Sequence, residues 1–272
     1  MLQSRLCSYE RVFFPTPLET YLDKNLVTTN PMHNLPLFVL PMVLLPGEVQ
    51  ELRVFEPRYK QMLDDCLLDG KNFGLVKSDY LSDVNHWDGP ARYGCEAEIL
   101  YHETKGSNHF LQIIGKRKFS IDKVHAPALP PFSHPSMSKF NEDDGIYPDL
   151  ETLLANIPDE VESNKLYISA DVKFHELKDA MDEFQQDELE QIVRTILQRV
   201  GLILRIDDDA FADWIETSPV IGLIDDKPES IFAVSGLLLG DLDLRQEILE
   251  SNDVESVLTL LRSEVGKFTE EE

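Results

Sequence analysis

Along the chain, hydrophobic and polar positions first fall into a regular pattern at Leu35. The stretch Leu35 to Leu45 is rich in Leu, Val and Phe but is broken by Pro36 and Pro41, which predicts an edge strand or the entry to a strand. Pro46-Gly47 makes a turn, and Glu51 to Phe55 then alternates polar and apolar residues as a half-buried strand does. Glu56-Pro57 opens a helix over about Pro57 to Leu68. Its apolar positions Tyr59, Met62, Leu63, Cys66 and Leu67 share one face, and Gly70 stands past its end as a C-cap. Short segments of β character come next at Phe73 to Val76, Cys95 to Tyr101, Phe110 to Ile114 and Phe119 to Val124, separated by Gly, Asn and Asp, and together they predict a small antiparallel sheet or barrel. Five prolines and the acidic run Glu142 to Asp144 make residues 126 to 149 read as a long exposed loop, after which Leu166 to Leu177 resumes strand character.

From Asp187 the period changes from two to 3.6. Leu189, Ile192, Val193, Ile196, Leu197 and Val200 occupy one helical face, with Asp187 and Glu190 forming a capping-box-like start. Asp207 to Asp209 fits the first turn of a helix that contains Trp214, where acidic side chains complement the macrodipole. Pro228 to Leu239, closed by Gly240, and the stripe Val254, Val257, Leu258, Leu261 and Val265 predict further helices. The fold class expected is α+β: a β domain over 32–180 with a Pro-rich acidic insertion near 126–165, then a helical bundle over 181–272. Residues 1–31, which end at Asn30-Pro31, form an N-terminal extension.

Charge divides the chain differently. Residues 1 to 140 carry 15 Lys/Arg and 16 Asp/Glu, whereas residues 141 to 272 carry 10 and 34, so nearly all of the net charge of −25 is C-terminal. Such a field repels phosphate backbones and anionic lipid, arguing against nucleic-acid and membrane partners. The longest apolar stretch, Ile231 to Leu239, is about half the ~20 residues of a bilayer span. Cys7, Cys66 and Cys95 are widely spaced and odd in number, which fits reduced thiols and a cytoplasmic location; Cys66 and Cys95 sit in apolar patterns as core fillers.

Catalytic and cofactor motifs fail one by one. His102-Glu103 and His175-Glu176 lack the second histidine one turn later that zinc hydrolysis needs. Gly-Lys occurs at Gly70, Gly115 and Gly266, but never with the following Ser or Thr of a phosphate loop. Ser235-Gly236 has Ala233 where a nucleophile elbow needs glycine, and Asp207-Asp208-Asp209 lacks the Gly and distal Glu of a calcium loop. No catalytic residue, cofactor or metal site is therefore expected. The basic run Lys116-Arg117-Lys118 with Phe119 reads as a turn or strand end with solvated charges, the alternative being contact with RNA.

Five ordered motifs remain. Leu35-Pro36-Leu37-Phe38, Val43-Leu44-Leu45-Pro46-Gly47, Phe55-Glu56-Pro57-Arg58-Tyr59, Gly94-Cys95-Glu96-Ala97-Glu98-Ile99 and Ile114-Gly115-Lys116-Arg117-Lys118-Phe119 occur in that order, with Phe73-Gly74-Leu75-Val76 between the third and fourth. With these motifs the chain resembles the N-terminal substrate-binding domain of Lon proteases, above all its stand-alone form. More weakly, Pro228-Glu229-Ser230 and Arg245 to Glu250 resemble the family's helical half. The resemblance implies a PUA-like β pseudobarrel with one helix, packed on a helical bundle, and a non-catalytic recognition or adaptor module for unfolded or damaged polypeptides in protein quality control. An ATP-dependent protease or chaperone is the implied partner. The ATPase and Ser-Lys protease of full-length Lon are not present in these 272 residues. The family positions Pro46, Gly47, Phe55, Glu56, Arg58, Tyr59, Gly115, Arg117 and Phe119 are expected to be mostly structural: Glu56 capping the helix and pairing with Arg58 or Arg117, Phe55 and Tyr59 packing between helix and sheet. Exposed apolar surface or an open strand edge for recognition is expected from Leu37 to Leu45. A small-molecule sensor with a pocket between barrel and bundle is the alternative, ahead of an RNA-binding PUA-like protein.

Overall fold

The computed structural model describes residues 33–79, 81, 89–132, 134–140, 147–177 and 180–270. The expected extension at 1–31 lies outside them. The architecture is mixed α and β. Six strands, β1 (His33–Leu40), β2 (Val49–Val54), β3 (Phe73–Ser78), β4 (Pro90–Lys105), β5 (Asn108–His125) and β6 (Ser169–His175), form a sheet in the order β2-β5-β4-β3-β1-β6. A further pairing between β5 and β6 closes the last five into a barrel and leaves β2 hanging on β5 alone.

Closure overturns the expectation of an edge at Leu35 to Leu45. β1 runs antiparallel to β6 over His33 to Pro36 and parallel to β3 over Leu37 to Leu40, so it lies between two strands, each half paired with one of them. Pro36 is tolerated because of where its missing N–H would point. Leu37 donates its N–H to Ile168 O at 2.8 Å on the β6 side, so by strand alternation the nitrogen of Pro36 faces β3, whose pairing begins only at Leu37.

β4 and β5 are longer than the sequence predicts. The segments Phe110 to Ile114 and Phe119 to Val124 are one continuous strand, and Gly115 to Lys118 is its middle rather than a turn. Gly115 is required there, since a Cβ would stand 2.1 Å from Leu45 O. Phe119 points into the barrel, where Leu37, Val76, Ile121, Ile168, Ala170 and Val172 surround it. Gly74 and Gly94 leave room for its ring, which a Cβ on either would approach to 2.6 Å.

Helix α1 (Pro57–Asp69) begins at Pro57 as expected and ends on Gly70 in the left-handed conformation, φ 60°. Its buried face, Tyr59, Met62, Leu63 and Cys66, joins a large core that also holds Leu44, Leu111, Ile113, Leu189, Val193, Phe232 and Leu258. That core is shared by the sheet, α1 and helices α3 (Glu183–Leu204), α4 (Asp208–Glu216), α5 (Ser230–Leu238), α6 (Leu242–Glu250) and α7 (Val254–Glu270). α3 starts earlier than the period predicts, with Asp182 and Gln185 making the capping box instead of Asp187 and Glu190. α5 stops on Leu239 in an extended conformation, so Gly240 is not its cap.

Residues 126–149 are not simply an exposed loop. Ala128, Leu129 and Met137 bury with Leu153 of α2 (Leu150–Leu154) and Leu166 in a satellite core that Phe132, Phe140 and Ile157 flank. The acidic run 142–144 lies outside the described residues.

Barrel and bundle are tied by a buried ion pair. Glu48 and Arg245 are 7% and 6% exposed. Arg245 donates to Glu48 Oε2, to Val43 O at 2.8 Å and to Gly236 O and Leu239 O at 2.8 and 3.1 Å. Glu48 also accepts from Leu45 N at 3.0 Å and Gln50 Nε2 at 2.7 Å. Such pairing offsets the desolvation that makes a lone buried charge costly.

Candidate polypeptide-binding edge and cleft

The open feature of the sheet is β2. A glycine bulge launches it: Gly47, at φ 81°, donates its N–H to Gly115 O at 2.9 Å, while Gly115 N donates to Glu48 O at 2.9 Å. Two residues thus oppose one. The bulge sets the phase of the whole strand, so Gln50, Leu52 and Val54 direct their backbone groups to β5, and Val49, Glu51 and Arg53 direct theirs away from it. Among the described residues nothing hydrogen-bonds these outward groups. Their side chains are exposed as well, Val49 at 48%.

β2 runs directly into Phe55, which is 45% exposed and lines a cleft of about 410 Å³ with Pro57, Lys60, Ser107, Tyr147, Pro148, Asp149 and Leu150. Tyr147 lies 6.0 Å from the Phe55 ring and 4.9 Å from Phe132, and the Arg53 guanidinium sits 5.8 Å from the Phe55 centroid. Burial, reinforced by the Glu56 carboxylate, pushes the Tyr147 phenol up, so it stays a neutral donor. The cleft is of the size that takes a large apolar side chain, and the neighbouring edge offers alternating donors and acceptors to an extended backbone.

Eight of the nine family positions separate into three groups, and the ninth, Tyr59, packs in the core. Pro46, Gly47 and Gly115 build the bulge that starts β2. Phe55, Glu56 and Arg58 stand at the cleft end. Glu56 makes no capping bond to α1, whose N-terminus relies on Pro57; its carboxylate accepts from Arg58 Nε at 2.9 Å and not from Arg117. Phe55 does not pack between helix and sheet, because it follows the last paired residue of β2. Tyr59 does: it is buried against Phe38 at 4.2 Å and donates its hydroxyl to Val39 O at 3.2 Å. Arg117 and Phe119 form the third group. Arg117 donates to both oxygens of Glu96 at 2.6 and 3.1 Å and lies 3.7 Å from the Phe174 centroid. Burial works to raise the Glu96 carboxyl, but the hydrogen bonds from Arg117 and Asn72 hold it below its usual range.

The basic run is solvated only in part: Lys116 and Arg117 are exposed and ion-paired, whereas Lys118 is buried. Lys116 pairs with Glu98 at 3.0 Å, and Lys118, 2% exposed, donates its ammonium to Ser251 O. Burial lowers the Lys118 amine to about 8. Leu37 to Leu45 is mostly withdrawn from the surface: Leu37, Phe38, Val39, Val43, Leu44 and Leu45 are buried, Leu40 and Met42 half-buried and only Pro41 exposed. Cys66 and Cys95 are buried fillers; burial pushes Cys66 up to about 12 and Cys95 further. Between barrel and bundle, the crevice beside Pro46, Lys118, His175 and Phe232 holds about 70 Å³. A second, polar cavity between barrel and bundle, about 390 Å³, is lined by Lys77 and Arg92 of the sheet and by Gln246 and Glu250 of α6.

Sequence reasoning missed Val49, Glu51 and Arg53 as an edge and Tyr147 and Leu150 as a cleft wall. The alternation of Glu51 to Phe55 shows a strand, but nothing local shows that only one side is paired. The Glu48–Arg245 pair joins residues 197 apart in sequence and leaves no local signal.

The profile of the ATP-dependent protease La (LON) substrate-binding domain matches residues 34–265. The chain belongs to that family. The family is that of the substrate-binding, non-catalytic domain of such proteases, a substrate-recognition module. Among solved structures, a Lon N-terminal domain protein from Xanthomonas campestris is similar at 21% identity and TM-score 0.50, covering 85% of this chain and 98% of that one. The N-terminal domain of a Mycobacterium avium complex Lon protease is similar at 16% identity and TM-score 0.53, covering 86% and 98%. These likenesses support the α+β fold. No curated protein matches the chain. Among the described residues, no helix is long and apolar enough to cross a membrane.

Proposed function

We propose that this chain is a non-catalytic polypeptide-recognition or adaptor module of cytoplasmic protein quality control. It holds an unfolded or damaged segment as an added strand along β2, with an apolar side chain of that segment in the Phe55–Tyr147 cleft. The observation that carries this reading is the row of outward backbone groups at Val49, Glu51 and Arg53 next to the cleft. An open edge is a liability that folded proteins normally cover or blunt, so one retained beside an aromatic cleft fits use as a template for another chain. Backbone hydrogen bonding reads no sequence, which suits a module for many damaged clients, while the cleft selects segments bearing a large apolar residue. Folded proteins have their strands already paired and their apolar residues buried, so they are not bound. The module then delivers the segment to an ATP-dependent protease or chaperone.

The test is fluorescence anisotropy with a reduced, carbamidomethylated, permanently unfolded protein and with its native form. Binding of the unfolded probe alone is expected. Equal binding of both forms, or of neither, contradicts the reading.

A further inference from the structure

We infer that His102 and His109 form a site for a divalent transition-metal ion of the zinc or copper class. The two histidines lie diagonally across the β4–β5 hairpin, where Thr104 pairs with His109 and His102 with Leu111. Their rings are stacked, with centroids 5.3 Å apart and planes 20° from parallel. His102 Nε2 and His109 Nδ1 are 3.1 Å apart, and Thr104 Oγ1 lies 3.4 and 3.2 Å from them. Three donor atoms therefore make a nearly equilateral triangle. An ion about 2.05 Å from every corner, the usual zinc–imidazole length, would sit roughly 0.8 Å above that triangle. In the metal-free chain these three atoms lie within hydrogen-bonding distance of one another; an ion would replace those hydrogen bonds, with the two rings reorienting so that their in-plane lone pairs face it.

The hairpin ladder on both sides of the pair holds the two backbones at this spacing without metal. Among the described residues no three His, Cys, Asp or Glu side chains converge on a metal site, so the ion would be held by two imidazoles, with the Thr104 hydroxyl and water completing the shell. This donor set suits Zn²⁺ and Cu²⁺ and not Mg²⁺ or Ca²⁺, which need oxygen cages. It also describes an exchangeable site and not a closed structural one. Asp64 and Lys60 of α1 are the charged groups that act on His109 from the neighbouring helix. The site is independent of the polypeptide reading, since it uses neither the outer edge of β2 nor the cleft aromatics.

The test is isothermal titration calorimetry of the full chain with ZnCl₂, and with MgCl₂ as the control, in a buffer that does not chelate. One saturable zinc site per chain is expected, with no magnesium binding. His102→Ala and His109→Gln should each weaken zinc at least about tenfold, Thr104→Val should weaken it less, and His134→Ala should leave it unchanged. Circular dichroism melts establish that each variant is folded. Absence of zinc binding by the wild-type chain, or unchanged zinc affinity in the folded His102→Ala and His109→Gln variants, overturns the inference.

Discussion

β1 and β2 are the two short strands that open the domain, and from sequence the first is the edge. The structure reverses them. β1 carries a proline and lies between β3 and β6 inside a closed barrel, whereas β2 carries none and keeps one side unpaired. A proline marks one missing donor, and a neighbouring strand that begins one residue later removes its consequence. Edge status belongs to the neighbours of a strand and not to its own residues, which is why it controls what the surface can bind without being written locally.

The largest expected effect comes from unfastening the start of β2. Arg245→Ala leaves the Glu48 carboxylate buried without its cation and should cost about 3–5 kcal/mol in a denaturant titration. A loss below about 1 kcal/mol would show that solvent reaches Glu48 more easily than its burial implies.

Next, the same kind of truncation should separate the two strands. Leu37→Ala, at a fully buried position of β1, should cost about 2–5 kcal/mol, while Val49→Ala on the exposed side of β2 should stay within about 0.5 kcal/mol. Equal costs would mean that the outer face of β2 is covered.

Lys118 sharpens the closed side of the comparison through pH. Its amine is lowered from 10.5 to about 8 by burial, so the folded chain releases this proton before the unfolded chain does. Below pH 8 both states are protonated and the fold bears the full cost of the buried ammonium. Stability should rise between pH 8 and 10.5 by an amount of order 3 kcal/mol, because over that interval the unfolded chain binds the proton and the folded one does not. Chemical denaturation across that range, compared with Lys118→Met, isolates the contribution, and a variant with the same pH slope as the wild type would refute it.

Much of the fold was legible because it is periodic. The 3.6 stripes of α1, α3 and α7 and the Gly70 cap were readable from spacing alone. Family motifs gave the barrel and bundle, but not the physical roles of their residues. Phe119 fills the barrel and needs Gly74 and Gly94 opposite it, and Gly115 needs the carbonyl of Leu45 against it. Each of these fits joins strands far apart in sequence. The run Lys116 to Lys118 shows the limit most clearly. Between the pairs Gly115–Ala97 and Lys118–Cys95, Lys116 and Arg117 together oppose the single residue Glu96, and this bulge leaves both of them outward while Lys118 turns inward. Lys116 and Lys118, two residues apart, would share a face of a regular strand, so their different surroundings come from a register that nothing local announces. The cleft was hidden for a similar reason, since Tyr147 and Leu150 come from an insertion whose prolines read as loop while its apolar residues fold into a core of their own.

The smallest effect on stability should accompany the largest effect on binding. The N–H of Glu51 points away from β5, so Glu51→Pro removes an outward donor without breaking the ladder, the one strand context in which proline is tolerated. The decisive measurement is the affinity of this variant for the unfolded probe, alongside its melting temperature. Strand addition along β2 predicts at least about a tenfold loss of affinity, close to one lost neutral backbone bond plus the clash of the ring, with a melting temperature within a few degrees of wild type. Unchanged affinity in a folded Glu51→Pro variant would contradict it.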